Sequence, residues 1–205
     1  MEEIGLFPLG VVLLPTERVP LHIFEPRYRE LIGECLDAGT DFGLVYADDD
    51  GIQAVGTRAA VAEVVRRFPD GRLDIVVVGG ERFRLLQLTD GRSFHTGRIE
   101  PVVDQPDPAP ASRVAEALAL FTGVLEVAGA EAEVPPADHP QLSFALAGCF
   151  ELAPAVKQDL LQRTSESERL GLVCDILEQA RSAATRRREI HELAQTNGRV
   201  HPPAP

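Results

Sequence analysis

The 205-residue sequence predicts an α+β protein, a β-rich amino-terminal part carrying one inserted helix followed by an all-helical part. Three observations carry this. From Gly56 to Val103, short apolar runs alternate with Gly-containing turns, the pattern of a small closed barrel or sandwich. Between the early strands, Pro26 and Gly39 bracket a stretch with helical spacing. Beyond a proline-rich segment, Asp104 to Ala111, the apolar period changes from that of strands to that of helices.

The elements follow in order. Ile4 to Phe7 and Val11 to Leu14 read as strands joined by corners at Pro8, Gly10 and Pro15. Leu21 to Phe24 is a third apolar run. It leads into a helix that opens at Pro26, places Tyr28, Leu31, Ile32, Cys35 and Leu36 on one face, and closes at Gly39. Phe42 to Ala47 is a strand ended by the turn Asp48-Asp49-Asp50-Gly51, which lacks the alternating ligands of a calcium loop. Thr57 to Phe68, Leu73 to Val78, Arg82 to Leu88 and Phe94 to Val103 are strands, divided by turns at Pro69-Asp70-Gly71 and Thr89-Asp90-Gly91 and a bend at Gly79-Gly80.

Proline at every second position makes 105–112 an extended linker between a domain at 1–104 and a helical domain at 113–205. Ser112 is expected to cap a helix whose stripe is Val114, Leu118, Phe121 and Leu125. Residues 129–140 form a loop, 142–150 are compact and apolar, and Pro154 opens a helix through Gln162. Ser165-Glu166-Ser167-Glu168 is a capping box for a last helix running towards Ala194, with a frayed tail from about 196.

Composition narrows the function classes. The formal charge is −12, with 18 acids against 11 arginines in residues 1–104 and 14 acids against nine Lys or Arg in the remainder, so a phosphate backbone is repelled and nucleic acid is not an expected partner. Cys35, Cys149 and Cys174 are far apart and unaccompanied by metal-binding spacing, which predicts buried small hydrophobes and neither disulfide nor metal. The start Met1-Glu2-Glu3 lacks a signal-peptide pattern, and no segment is apolar enough to span a membrane, so the expected location is the cytoplasm. The five histidines are scattered, and His191-Glu192 lacks the second histidine of a zinc-hydrolase motif. Neither an enzyme constellation nor a cofactor is expected.

In this order, Leu6-Phe7-Pro8-Leu9, Val12-Leu13-Leu14-Pro15 and Pro20-Leu21-His22-Ile23-Phe24-Glu25-Pro26-Arg27-Tyr28 resemble the amino-terminal, substrate-binding domain of the Lon protease family. Gly56-Thr57-Ala59, Pro69-Asp70-Gly71-Arg72, Gly80-Glu81-Arg82-Phe83-Arg84, Lys157-Gln158-Asp159-Leu160-Leu161 and Ser167-Glu168-Arg169-Leu170 extend the match over about residues 4–180. The resemblance implies a pseudo-barrel related to the PUA fold, followed by a helical bundle. The chain departs from full Lon proteases: it has no GxxxxGK[ST] nucleotide loop, and its only lysine, Lys157, has no serine in a recognisable nucleophile context. The expectation is a stand-alone member.

The function implied is a non-enzymatic module that binds unfolded or exposed apolar polypeptide, or an adaptor in protein quality control working with a protease or chaperone. The candidate contact residues are His22, Phe24, Tyr28 and Arg29 at the strand–helix corner, where the competing role for each is packing or a corner ion pair. RNA binding, which PUA-like folds can serve, and a small-molecule enzyme are the alternatives.

Overall fold

A computed structural model describes residues 2–197, in which strands β1 (Glu2–Leu9), β2 (Arg18–Ile23), β3 (Phe42–Asp48), β4 (Gly51–Ile52), β5 (Val55–Arg67), β6 (Leu73–Thr89) and β7 (His95–Pro101) precede most of the helices. The inserted helix α1 (Pro26–Ala38) lies between β2 and β3. Helices α2 (Ala111–Ala128), α3 (Leu142–Ala147), α4 (Pro154–Gln162) and α5 (Glu166–Asn197) follow.

The strands run in the order β1-β7-β6-β5-β3, and β3 returns to β1 in parallel register, Leu6 opposite Gly43 and Leu9 opposite Tyr46. Closure removes the sheet edges that an open sheet would expose. The sequence patterns left barrel and sandwich open, and this pairing makes the fold an α+β barrel with helices. Irregularities in the β5–β6 register at Thr57/Ala59, Val61/Glu63 and Val64/Arg66 add the local twist that closure needs.

Helix α1 is built as its residues dictate. Pro26 occupies the first turn, Gly39 caps the end in the left-handed region at φ 64°, and Tyr28, Leu31, Ile32 and Cys35 turn inward. They meet Phe7, Phe42, Ile75 and Val77 in one core cluster.

Several details differ from the sequence expectations. Cys35 and Cys174 are buried, but Cys149, just past the end of α3, is exposed. Val12, Leu13 and Leu14 are buried but form no strand. Their polar groups bond elsewhere: the Leu13 carbonyl accepts from Thr57 Oγ1 at 2.7 Å, and the Leu14 N–H donates to Glu17 Oε2 at 2.9 Å. Leu14 also lies so close to Gly79 that a Cβ there would sit 2.0 Å from its carbonyl oxygen. Gly79 therefore serves this close approach, and β6 continues through it as one 17-residue strand. Ser112 lies inside α2. Pro110 takes the cap position in an extended conformation, and its carbonyl accepts the first bonds from Arg113 and Val114. Ser165 does cap α5, accepting from the Glu168 N–H at 3.1 Å. Helix α5 runs to Asn197, past the expected start of a frayed tail, and residues 198–205 lie outside the described residues.

The segment 12–14 also joins the two parts. Leu13 belongs to the barrel core, whereas Val12 and Leu14 pack with Phe121, Phe144, Leu160 and Leu170 of the helices. A polar network lies beside this seam. Arg169, with no exposed surface, grips Asp104 through two bonds of 2.8 Å and Glu166 at 2.6 Å. Arg82 bonds the carbonyls of Leu161 and Arg163 and the Asp104 carboxylate. Both guanidiniums stack on Phe144, at 5.2 and 4.5 Å from its ring centre.

Candidate functional site

Strand β2 pairs with the first half of β6 and, among the described residues, with nothing on its other edge. The second half of β5 flanks β6 on the opposite side, so β2, β6 and β5 form a three-stranded arm. Cross-strand partners project to the same side of a sheet. His22 is opposite Asp74 and Asp74 is opposite Arg66, which places all three in one row on the arm's outer face. Within the row, His22 Nδ1 lies 2.6 Å from Asp74 Oδ1.

Aromatic rings frame this row. Phe24 is 60% exposed, unusual for so large an apolar side chain, and stacks on His22 with centroids 6.0 Å apart. Phe68 meets the same imidazole edge-on at 5.9 Å. Arg66 and Arg72 lie over Phe68, at 4.6 and 5.0 Å from its centre. Arg72 is also tied to Asp70, Nε to Oδ2 at 2.7 Å. The result is a continuous surface, Phe24–His22–Phe68, with arginines on its flank and an open strand edge beside it.

The structure separates the four candidate residues. His22 and Phe24 lie together on this surface. Tyr28 is 4% exposed, with its ring 4.1 Å from Phe7, and burial pushes its hydroxyl pKa up. Arg29 reaches under the β5–β6 turn, where Nη1 donates to the Asp70 carbonyl. The corner charges pair locally, Arg27 with Glu25 at 2.8 Å. Phe68 and Arg66 escaped the sequence reading. The available signal was the Pro69-Asp70-Gly71 turn, which returns the chain immediately after Phe68 and holds that ring at the arm's tip.

Elsewhere most of the charged groups near a cavity are already paired. A cavity of about 420 Å³ between the linker and α5 is lined by Asp104, Asp107, His139, Glu166 and apolar side chains. Asp104 and Glu166 there are already held by arginine. Lys157 pairs with Glu17, while the Ser143 hydroxyl donates to Glu166 and the Ser165 hydroxyl to Asp107. The structure brings neither serine into hydrogen bonding with the lysine. Among the described residues no three His, Cys, Asp or Glu are placed to hold a metal ion, and no helix is long and apolar enough to cross a membrane.

Comparison with known proteins gives these features a family. The chain is 27% identical over 192 residues to the Lon protease of Parabacteroides distasonis, covering 87% of this chain and 23% of that protein. It is 26% identical over 216 residues to the Lon protease of Paraburkholderia phytofirmans, covering 97% and 27%. It thus spans about a quarter of the length of these relatives. Among solved structures, a Lon N-terminal domain protein from Xanthomonas campestris superposes with TM-score 0.68 at 25% identity, over 83% of this chain and 96% of that one. The N-terminal domain of Mycobacterium avium complex Lon protease superposes with TM-score 0.69 at 18% identity, over 86% and 98%, and speaks for the fold alone. The model of the ATP-dependent protease La (LON) substrate-binding domain matches residues 3–179, and the chain belongs to that family.

Proposed function

We propose that this protein is a non-enzymatic polypeptide-recognition module, and that it takes exposed apolar segments on the outer face of the β2–β6–β5 arm. The observation that carries the reading is the exposed aromatic surface of Phe24, His22 and Phe68 beside the unpaired edge of β2. Covering the exposed part of one such ring contributes about 1.4 kcal/mol. An extended chain can add main-chain hydrogen bonds along the strand edge, which supplies affinity without sequence preference. Pro20 interrupts the donors of that edge, so the bonds would cluster at its two ends. Tyr28 packs on Phe7 in the barrel core, and Arg29 holds the turn that carries Phe68. Delivery of bound clients to a separate protease or chaperone, in the cytoplasm, completes the reading. The unpaired cysteines accord with that compartment.

The test is fluorescence polarisation with a dye-labelled, amidated peptide of alternating Phe, Val and Ser. The unaltered protein binds it, and Phe24→Ala weakens binding about tenfold, the loss expected for one covered ring. Binding that is indifferent to Phe24→Ala and Phe68→Ala contradicts the assignment of this face. Single-stranded RNA is the second reading, favoured only by the arginines stacked on Phe68. It predicts that polyuridylate displaces the peptide, and does so less well as salt rises.

A further inference from the structure

A cavity of about 270 Å³ opens at the tip of the arm between α1 and the β5–β6 turn. Arg29, Arg67, Phe68, Leu36, Leu73 and Asp37 line it. Phe68 is a wall of this cavity and also a member of the exposed aromatic surface, so the two are continuous. Two guanidiniums face one carboxylate, in a chain whose net charge is −12. The bias extends to the surroundings: segments 18–29 and 63–74 hold six arginines against four acids.

These arginines differ from those that neutralise carboxylates of this chain. Arg27, Arg58, Arg72, Arg82, Arg92 and Arg169 each hold a carboxylate of this chain. The Arg67 side chain has no hydrogen bond or ion pair among the described residues, and the Arg29 side chain is bound only to the Asp70 carbonyl, its enclosed Nε left without an acceptor. Arg29 is nonetheless held in place. Gly71 sits over it at φ +86°, and a Cβ there would lie 2.8 Å from Nη1. A guanidinium fixed before binding loses less freedom on binding, and its fork matches a carboxylate in two parallel bonds.

We propose that this cavity takes a carboxylate of the bound polypeptide, the side chain of an Asp or Glu adjoining the apolar residues that cover Phe24 and Phe68. The inference rests on the polypeptide-binding reading above. A side chain is chosen over a chain terminus because an unfolded chain offers many acidic side chains and a single terminal carboxylate. Clients would then be selected for an acidic residue beside an aromatic run, against the long-range repulsion of an acidic protein.

The test compares two peptides with acetylated and amidated ends and a neutral dye, identical except that one carries Glu and the other Gln beside the Phe-Val run. The whole chain is used. The Glu peptide binds about fivefold more tightly, the size of one favourable, partly exposed ion pair. Arg67→Gln abolishes that preference and leaves affinity for the Gln peptide unchanged. Arg29→Gln gives the same loss, but since Arg29 braces the turn, the exposed Arg67 carries the test. Equal affinities in the unaltered protein, or a preference that survives Arg67→Gln, overturn the proposal while leaving the apolar face standing. A Gln peptide with a free carboxy terminus that gains the Arg67-dependent affinity in place of the Glu peptide overturns the side-chain assignment. If neither peptide binds, the polypeptide-binding reading itself fails.

Discussion

Arginine stacks on phenylalanine both at the seam and at the arm, with opposite consequences. At the seam, Arg82 and Arg169 close on Phe144, and both guanidiniums are almost wholly buried among carboxylates and carbonyls. At the arm, Arg66 and Arg72 lie over Phe68 in the open, and Arg66 has no ion partner among the described residues. The stacking is common to both, so it is the state of the remaining donors that separates a structural joint from a surface with bonds to give. A buried charge stripped of its partner is costly, whereas an exposed one waits in water at little cost.

That contrast can be broken most forcefully at the seam. Arg169→Ala leaves Glu166 without its arginine and Asp104 with Arg82 alone, and we expect stability to fall by about 3–5 kcal/mol in urea denaturation. A loss below about 1 kcal/mol would mean that water replaces the guanidinium and the joint is looser than its geometry suggests.

Asp104→Asn comes next, with an expected loss of roughly 1–3 kcal/mol at pH 7. Burial pushes the Asp104 carboxyl up, but the bonds and charges of Arg169 and Arg82 outweigh it and hold the pKa below its ordinary value. A lowered folded pKa gives stability that is present above the unfolded value near about 4 and is lost as pH falls through the folded one. The gap between the unaltered protein and Asp104→Asn should therefore narrow from pH 5 to pH 2. A constant gap would assign the loss to packing.

The arm should respond in reverse. Phe24→Ala is expected to change unfolding stability by no more than about 0.5 kcal/mol while weakening peptide binding about tenfold. Arg66→Gln should have the smallest effect, a two- to threefold loss of affinity from one exposed cation–aromatic contact, with roughly unchanged stability.

The two regions were also unequally legible in the sequence. The corner was read in detail, since Pro26 and Gly39 act through their own backbone restrictions and mark α1 without help from tertiary contacts. The Ser165 cap was legible for the same reason. Val12 to Leu14 was not, because an apolar run shows burial but not where its N–H and C=O groups go, and here they go to Thr57 and Glu17. Arg82 and Arg169 stood in the motifs that revealed the family, but their meeting on Asp104 depends on residues 22 and 65 positions away. At the arm, His22 and Phe24 are neighbours in sequence and were found together. Phe68 joins them only through the pairing of β2 with β6 and the turn that follows β5. Tyr28 shares the corner's sequence but projects from the helix face that packs inward, a distinction that one turn of helix decides.

On the proposed reading, clients bind the arm and leave the seam alone. Amide hydrogen exchange of the whole chain, with and without the apolar Phe-Val peptide, tests it most directly. Binding at the arm slows exchange at residues 19–24 and 65–74 and leaves 142–170 unchanged. Protection centred on 142–170, with the arm unaffected, would contradict it.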